Sequence, residues 1–453
     1  MTKAKSKSYE IDMCNGPILG KMLLFALPLM CSSVLQLLFN AADVIVVGRF
    51  AGDHALAAVG STGSLVNLFV NFFMGLSIGA NVLVARFYGG KQERALKETV
   101  HTAVLLSIIS GIILAIFGVI FSPMILQWMQ APPEVLPLAT VYLRVYFLGM
   151  PASMLYNFSA AILRAIGDTK RPLVYLSVAG VVNVVLNLFF VIVCHWSVFG
   201  VALATTVSQI VSAILVLRCL MNEEGGIRVN LRELKLNKDK IRKIFQIGIP
   251  SGIQSVVFSL SNVLIQSAIN SFGATVVAGN SAASNIEGFV YVAMNAFYQS
   301  NLSFTSQNLG SGKKERLNRI LFVSQGCVIV TGILLGGLSY LCGPVLLTLY
   351  TTSKAVVAAG MVRLGFIGLP YVLCGIMDVT VGSLRGMGYS VFPMLVSIVG
   401  SCLLRIVWLQ TVFKIDAYHK IETVYIIYII TWIVTGTTHL ITYFVLKRKL
   451  MRK

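Results

Sequence analysis

Long apolar segments constrain this sequence more than any other feature. A helix of about 20 apolar residues crosses the roughly 30 Å hydrocarbon layer of a membrane, and such segments recur along the whole chain. Apolar residues make up 57% of the chain and charged residues 12%, whereas soluble proteins carry about 25% charged residues. The sequence therefore predicts an all-α membrane protein with many spans.

We predict twelve transmembrane helices joined by short loops. The apolar runs are too long and too continuous for the alternating strands of a membrane barrel. The predicted segments are 22–47, 57–85, 98–122, 136–162, 172–194, 197–219, 244–271, 276–305, 320–348, 356–384, 391–414 and 423–446.

The net charge of +19 is best explained by membrane topology. The loops predicted to face outward hold few cations, only Arg49, Lys354, Lys414 and Lys420, while the other loops and both termini are rich in lysine and arginine. Cytoplasmic loops carry such an excess. We therefore expect a multi-pass protein of the cell inner (plasma) membrane with both termini in the cytoplasm, and no nucleic-acid partner.

The two halves of the chain repeat each other. "GKQER" at 90–94 matches "GKKER" at 312–316 with a shift of 222, and "RAIGDTKRP" at 164–172 matches "RGMGYSVFP" at 385–393 with a shift of 221. Six helices per half make these parallel repeats. We predict an N-lobe at 1–221, a cytoplasmic linker at 222–243 and a C-lobe at 244–453, an architecture that favours a transporter.

Four prolines also occupy matched positions in the two halves, namely Pro28, Pro151, Pro250 and Pro370. Proline inside a helix removes one hydrogen bond and kinks the helix. The sequence leaves open whether these are fixed bends or moving hinges.

An ion gradient is the energy source that the sequence allows, because it shows neither a phosphate-binding GxxxxGK[ST] motif nor a nucleotide domain. A gradient-driven carrier needs an ionisable group at membrane depth, and three acids qualify: Asp43, Glu287 and Asp378. A charge at the bilayer centre costs about 3 kcal/mol or more, so each acid requires a partner or a wet cavity.

Asp43 is the first candidate site. Asn183 and Asn187 are four residues apart and share a helix face, and Thr205 lies in the next predicted helix. Together these side chains could form an oxygen cage for a hard monovalent cation, or the carboxylate could carry a proton. The alternative is that the asparagines only join helices by hydrogen bonds.

The second candidate site is a polar and aromatic wall suited to organic cations. Its predicted members are Glu287, Asn295, Tyr298, Gln299 and Asp378. The alternative is structural pairing of either acid with a base, for which Arg405 is the candidate. We expect Arg144 and Arg363, which are also matched, to snorkel or pair structurally.

The motifs together resemble the multidrug and toxic compound extrusion (MATE) family, over all twelve spans. The motifs are "LPLMCSSVLQLLFNAADVIVVGRFAG", "RAIGDTKRPL", "GVALATTVSQ" and "GSLRGMG". The resemblance implies two six-helix lobes around a V-shaped central cavity, and efflux of cationic or amphipathic compounds in exchange for Na⁺ or H⁺.

The resemblance also implies residue roles. Asp43 falls on the essential aspartate of the first helix, while Asn183 and Thr205 fall on residues of the N-lobe cation site. Asn187 departs from the pattern, since many members have aspartate there, which leaves the ion open. Cys374 stands where the NorM-like branch has an acid, and this places the chain nearer the DinF-like members.

We therefore expect a secondary active multidrug antiporter, not an enzyme. It would need no cofactor, use Na⁺ or H⁺ as coupling ion, lie among membrane lipid and work as a monomer. The rival is a lipid-linked oligosaccharide flippase of the same superfamily, which would have a larger and more basic cavity. A channel is a weaker alternative.

Overall fold

The structure is a computed structural model that describes residues 9–129 and 132–452, and of residues 64 and 65 only the backbone. Within that part the regular secondary structure is entirely helical. The helices are α1 Ile18–Phe50, α2 Asp53–Gly89, α3 Glu93–Trp128, α4 Leu136–Leu148, α5 Met150–Ala165, α6 Lys170–Leu188, α7 Ser197–Met221, α8 Lys238–Asn270, α9 Ala274–Gly310, α10 Arg316–Leu341, α11 Gly343–Thr348, α12 Lys354–Arg363, α13 Val372–Gly386, α14 Val391–Ser397, α15 Leu404–Gln410 and α16 Ile421–Met451.

The predicted spans correspond to these helices. Among the described residues, ten spans are long and apolar enough to cross a membrane, and α4 with α5, bent by 46°, makes an eleventh. The predicted segment 276–305 lies in α9, which has 37 residues but fails the same test of composition because its sequence is rich in polar side chains. The all-α membrane fold is confirmed, with α9 the least apolar of the predicted segments.

Proline and glycine explain where the helices bend and begin. The bend between α4 and α5 lies at Gly149 and Pro151, whereas Pro28 and Pro250 lie inside the continuous helices α1 and α8. Gly52 and Gly273 precede α2 and α9 with φ of 87° and 89°, a conformation that favours glycine. The repeat thus extends to the backbone of the turns.

Single π-helical turns interrupt three of the spans. They are Phe189–Val193 after α6, Leu364–Gly368 after α12, and Ile398–Leu403 between α14 and α15. Such turns occur often at functional sites. The first begins two residues after the candidate residue Asn187, and the second begins next to Arg363.

The chain folds into two compact units that exchange segments. The first unit comprises residues 9–12 and Cys31–Ile249, and the second comprises Met13–Met30 and residues 250–452. The first part of α1 therefore belongs to the second unit, and the first part of α8 belongs to the first unit. This exchange differs from the simple order of N-lobe, linker and C-lobe that we expected.

The predicted linker, 222–243, is packed against α3 in the first unit. The backbone N–H of Gly226 donates to Glu93 at 2.6 Å, and the N–H of Asn230 donates to His101 Nε2 at 3.1 Å. Asn237 donates its N–H to Thr102 at 3.2 Å. The segment is thus a docked part of the first unit.

Candidate functional site

Close packing of α1 against α6 in the first unit positions Asp43. A Cβ on Gly180 would lie 1.8 Å from the ring of Phe39, so glycine is required for this approach. Asp43 is one turn beyond Phe39 on α1, and Asn183 and Asn187 are one and two turns beyond Gly180 on α6. The packing therefore sets the carboxylate beside the two amides.

The structure brings together the four residues that we predicted for the first site. Asn187 Nδ2 donates to the Asp43 carboxylate and also lies 3.4 Å from Asn183 Oδ1. Asn183 Nδ2 donates to Thr205 Oγ1 at 3.3 Å, and Thr205 donates to the Val201 carbonyl at 3.0 Å. Thr205 also interacts with Asp43. Three helices, α1, α6 and α7, thus converge on one carboxylate.

One oxygen of this site has no protein partner. Asn187 Oδ1 is buried and accepts no hydrogen bond within the described part of the chain, and Asn187 is only 1% exposed. Asp43 is half-buried and forms no ion pair with any described base. A carboxylate, two amide oxygens and a hydroxyl are the ligands that a hard cation prefers, and a buried oxygen without a protein partner is free to contact a bound ion or a water molecule.

The acid of the second unit that we predicted to line a substrate wall is engaged by an arginine. Arg363 Nε lies 3.1 and 3.2 Å from the two oxygens of Glu287, and Nη2 lies 2.7 Å from Oε2. Arg363 Nη1 donates to Asn280 Oδ1 at 2.6 Å. Glu287 is 3% exposed. The pair is therefore buried, and both oxygens of Glu287 already accept hydrogen bonds from Arg363.

Arg405, the candidate partner in the structural alternative, does not pair with either acid. Arg405 Nε–H donates a hydrogen bond to Thr431 Oγ1 at 3.1 Å, and the Arg405 guanidinium carbon lies 4.2 Å from the centroid of the Tyr428 ring. Neither Glu287 nor Asp378 is within ion-pair distance of Arg405 in the described structure. Arg363 instead reaches Glu287 on α9, because α9 and α12 approach closely at Gly279 and Gly360.

The other predicted wall residues are divided between two environments. Tyr298 is buried and accepts from Arg385 Nη1 at 2.7 Å, and Arg385 Nη2 donates to Gln254 at 2.8 Å. Asp378 is half-buried, near Tyr291 and Arg385, and forms no hydrogen bond or ion pair with another described residue. Asn295, beside Tyr291, and Gln299 are partly exposed on α9.

Sequence reasoning missed Gly180, Arg385 and Gln254 as parts of these arrangements. Gly180 is one of 39 glycines, and its importance appears only when Phe39 is seen against it. A buried polar chain continues from Gln254 to Ser397 at 3.1 Å and from Ser397 to His439 at 3.0 Å. The matched position of Arg144 and Arg363 was the available signal for a structural arginine.

Comparison with known proteins gives consistent matches. A family model described as MatE matches residues 28–189 and 250–409. A probable multidrug resistance protein, YoeA of Bacillus subtilis, is 27% identical over 411 residues and 88% of each chain. The multidrug export protein MepA of Staphylococcus aureus (strain MRSA252) is 22% identical over 83% of each chain.

Solved structures share the fold. A structure described as the outward-facing conformation of a multidrug resistance MATE family transporter aligns with a TM-score of 0.91 at 20% identity, covering 99% of this chain and all of the other. A MATE structure in a bent conformation aligns with the same score and identity over 99% of both chains.

Proposed function

Because the chain belongs to the MatE family of membrane transporters, we propose that it is a secondary active antiporter that exports cationic or amphipathic small molecules in exchange for Na⁺ or H⁺. Relatives are named as multidrug resistance and multidrug export proteins, which supports multidrug efflux. We also propose that it lies in the inner membrane with both termini cytoplasmic, as its loop charges favour.

The environment of Asp43 is the observation that carries the ion-coupling proposal. Its carboxylate has amide and hydroxyl neighbours but no base to neutralise it among the described residues. A permanent charge at membrane depth would be costly, so the site is suited to a cation that enters and leaves. Asp43, Asn183, Asn187 and Thr205 would hold Na⁺ directly, or Asp43 would hold H⁺ with the others orienting it.

Coupling requires that the ion favour one conformation. A ligand shifts a conformational equilibrium only by the difference in its affinity for the two states. The ion would bind best where α1, α6 and α7 close around Asp43, and substrate would be released in that state. Substrate would then bind when the ion has left.

For the substrate, the open carboxylate of Asp378 and the aromatic side chains beside it offer the chemistry of an organic-cation site. Tyr291 and Tyr371 have ring centroids 6.3 Å apart, and Tyr371 lies 5.4 Å from Trp432. Glu287 is less suited to contact substrate, because Arg363 already occupies both of its oxygens.

The test is transport of a fluorescent cation from proteoliposomes under separately imposed Na⁺ and H⁺ gradients. Asp43→Asn keeps the shape but removes the charge, and we expect it to abolish gradient-driven efflux under the active gradient. Asp53→Asn, at the exposed start of α2, is the matched control and should transport normally. Undiminished efflux by Asp43→Asn would refute ion coupling at this site.

A further inference from the structure

The second unit carries a basic surface where α10 begins and α16 ends. We call it the basic patch; its cations are Lys314, Arg319, Lys447, Arg448, Lys449 and Arg452. Lys314 Nζ donates to the Leu450 carbonyl at 3.0 Å, and Tyr443 donates to Asn318 at 3.2 Å. These bonds make the two helix ends one continuous surface.

The charges of the basic patch are not neutralised by protein carboxylates. Glu315 is the one acid in residues 311–319 and 446–452, and none of the six cations forms an ion pair with a described residue. The neighbouring cations Lys313 and Arg316 are not counted in the basic patch, because they donate to the carbonyls of Cys14 and Gly16, before α1, at 3.0 Å each.

A basic surface of the first unit has different partners. At the start of α3 and α8, Arg94 pairs with Glu98 at 3.2 Å and Lys243 pairs with Asp239 at 2.8 Å. Lys97 pairs with Glu233. Positive charge alone therefore does not distinguish the basic patch; its lack of acidic partners does.

Each helix of the basic patch places arginine directly above an exposed apolar stripe. On α16, Ile441 and Val445 are each 60% exposed, and Arg448 and Arg452 continue the same face. On α10, Val330 and Phe322 are more than half exposed, and Arg319 continues that face. An exposed apolar face of a membrane-spanning helix contacts acyl chains, so these arginines lie at the level of the lipid headgroups.

We infer that the basic patch binds the headgroups of anionic phospholipids. Clusters of four to eight lysines and arginines beside a transmembrane helix attract such lipids, by about 1 kcal/mol for each cation. Arginine adds bidentate hydrogen bonds to phosphate. The acyl chains would lie along the exposed stripes of α10 and α16.

The experiment measures lipid retention by the purified full chain in detergent, using native mass spectrometry. Phosphatidylglycerol and phosphatidylcholine with the same acyl chains are the probes. The wild type should retain phosphatidylglycerol preferentially. In the variant R319Q/R448Q/R452Q, the ratio of retained phosphatidylglycerol to phosphatidylcholine should fall by about tenfold or more, since each cation contributes about fivefold.

Two further variants make the result specific. R94Q/K97Q/K243Q removes the same charge from the first unit, where the cations are ion-paired, and should keep the preference. R319K/R448K/R452K retains the charge and should keep most of it. Equal loss in the two glutamine variants, or unchanged retention in both, would overturn the inference.

Competition with glycerol 1-phosphate distinguishes a membrane lipid from a soluble anion. The soluble headgroup lacks acyl chains for the stripes on α10 and α16, so it should displace phosphatidylglycerol only at a large excess. Displacement at equal concentration would show a soluble-phosphate site and overturn the assignment to lipid.

Discussion

Asp43 of the first unit and Glu287 of the second have opposite surroundings. In the first unit, Asp43 lies among amides and a hydroxyl with no base beside it; in the second, Glu287 is held by Arg363 through both oxygens. A buried carboxylate with its own arginine has no need of an external cation. The comparison shows that depth in the membrane alone does not make an acid a candidate for ion coupling, because Glu287 is equally deep and already carries its own counter-charge.

A second contrast follows the repeat. Asn183 donates to Thr205 in the first unit, and Arg405, 222 residues later in the chain, donates to Thr431 in the second. The same kind of helix pair is joined by a neutral amide in one unit and by a guanidinium in the other. The second unit thus carries a fixed positive charge at the position where we propose that the first binds a mobile one.

The largest expected effect on stability comes from breaking the buried pair. Arg363→Ala leaves Glu287 buried without a counter-charge, which costs about 3–5 kcal/mol of unfolding free energy. Thermal unfolding in detergent measures it. The double variant Glu287→Leu with Arg363→Met should recover most of the loss, because apolar replacement of both partners is tolerated; if it does not, the pair has a role beyond mutual neutralisation.

Gly180→Ala should be the next largest change. The new Cβ would overlap the Phe39 ring, and overpacking of this kind costs about 1–3 kcal/mol. We expect lower stability and weaker gradient-driven transport, because α1 would move away from α6. Gly63→Ala has nothing within 4 Å of its Cβ and serves as the control, with both properties expected unchanged.

Asn187→Asp sharpens the comparison at the ion site itself. A second carboxylate beside Asp43 should tighten Na⁺ binding by about tenfold or more, on the scale of a charge-assisted interaction worth about 1.5–3 kcal/mol. Direct ²²Na⁺ binding measures the change. Asn187→Leu should weaken binding instead, and equal affinities for the two variants would exclude Asn187 as a ligand.

Paired threonine substitutions should give the smallest effects. Thr431→Val removes one hydrogen bond from Arg405 and should cost about 0.6 kcal/mol of stability. Thr205→Val should reduce ion binding as well, because Thr205 lies at the candidate site. Comparing unfolding and ²²Na⁺ binding in both variants tests whether only the first unit uses its threonine for an ion; loss of binding in both would contradict that.

Much of this arrangement could be predicted from the sequence. Apolar length predicted the helices, and helical periodicity predicted that Asn183 and Asn187 share a face. The resemblance to the MATE family implied that Asp43 and Thr205 join them. The partner of Glu287 could not be predicted in the same way. It depends on how closely α12 packs against α9, which is seen only in the contact of Gly279 with Gly360.

The exchange of segments between the units also has no local signal in the sequence. The assignment of residues 13–30 and 238–249 depends on tertiary contacts such as Phe25 against Phe304, with ring centroids 5.9 Å apart, and Gly79 against the Ile244 carbonyl. These contacts join residues far apart in the chain.

The exchanged segments have a consequence for biogenesis. Residues 13–30 leave the ribosome early, but they belong to the second unit, whose remaining helices are synthesised last. The first unit is incomplete until residue 249 has emerged. A chain cut within 222–243 would yield two fragments that each lack one helical segment and carry a foreign one. We expect such fragments to assemble only when they are produced together.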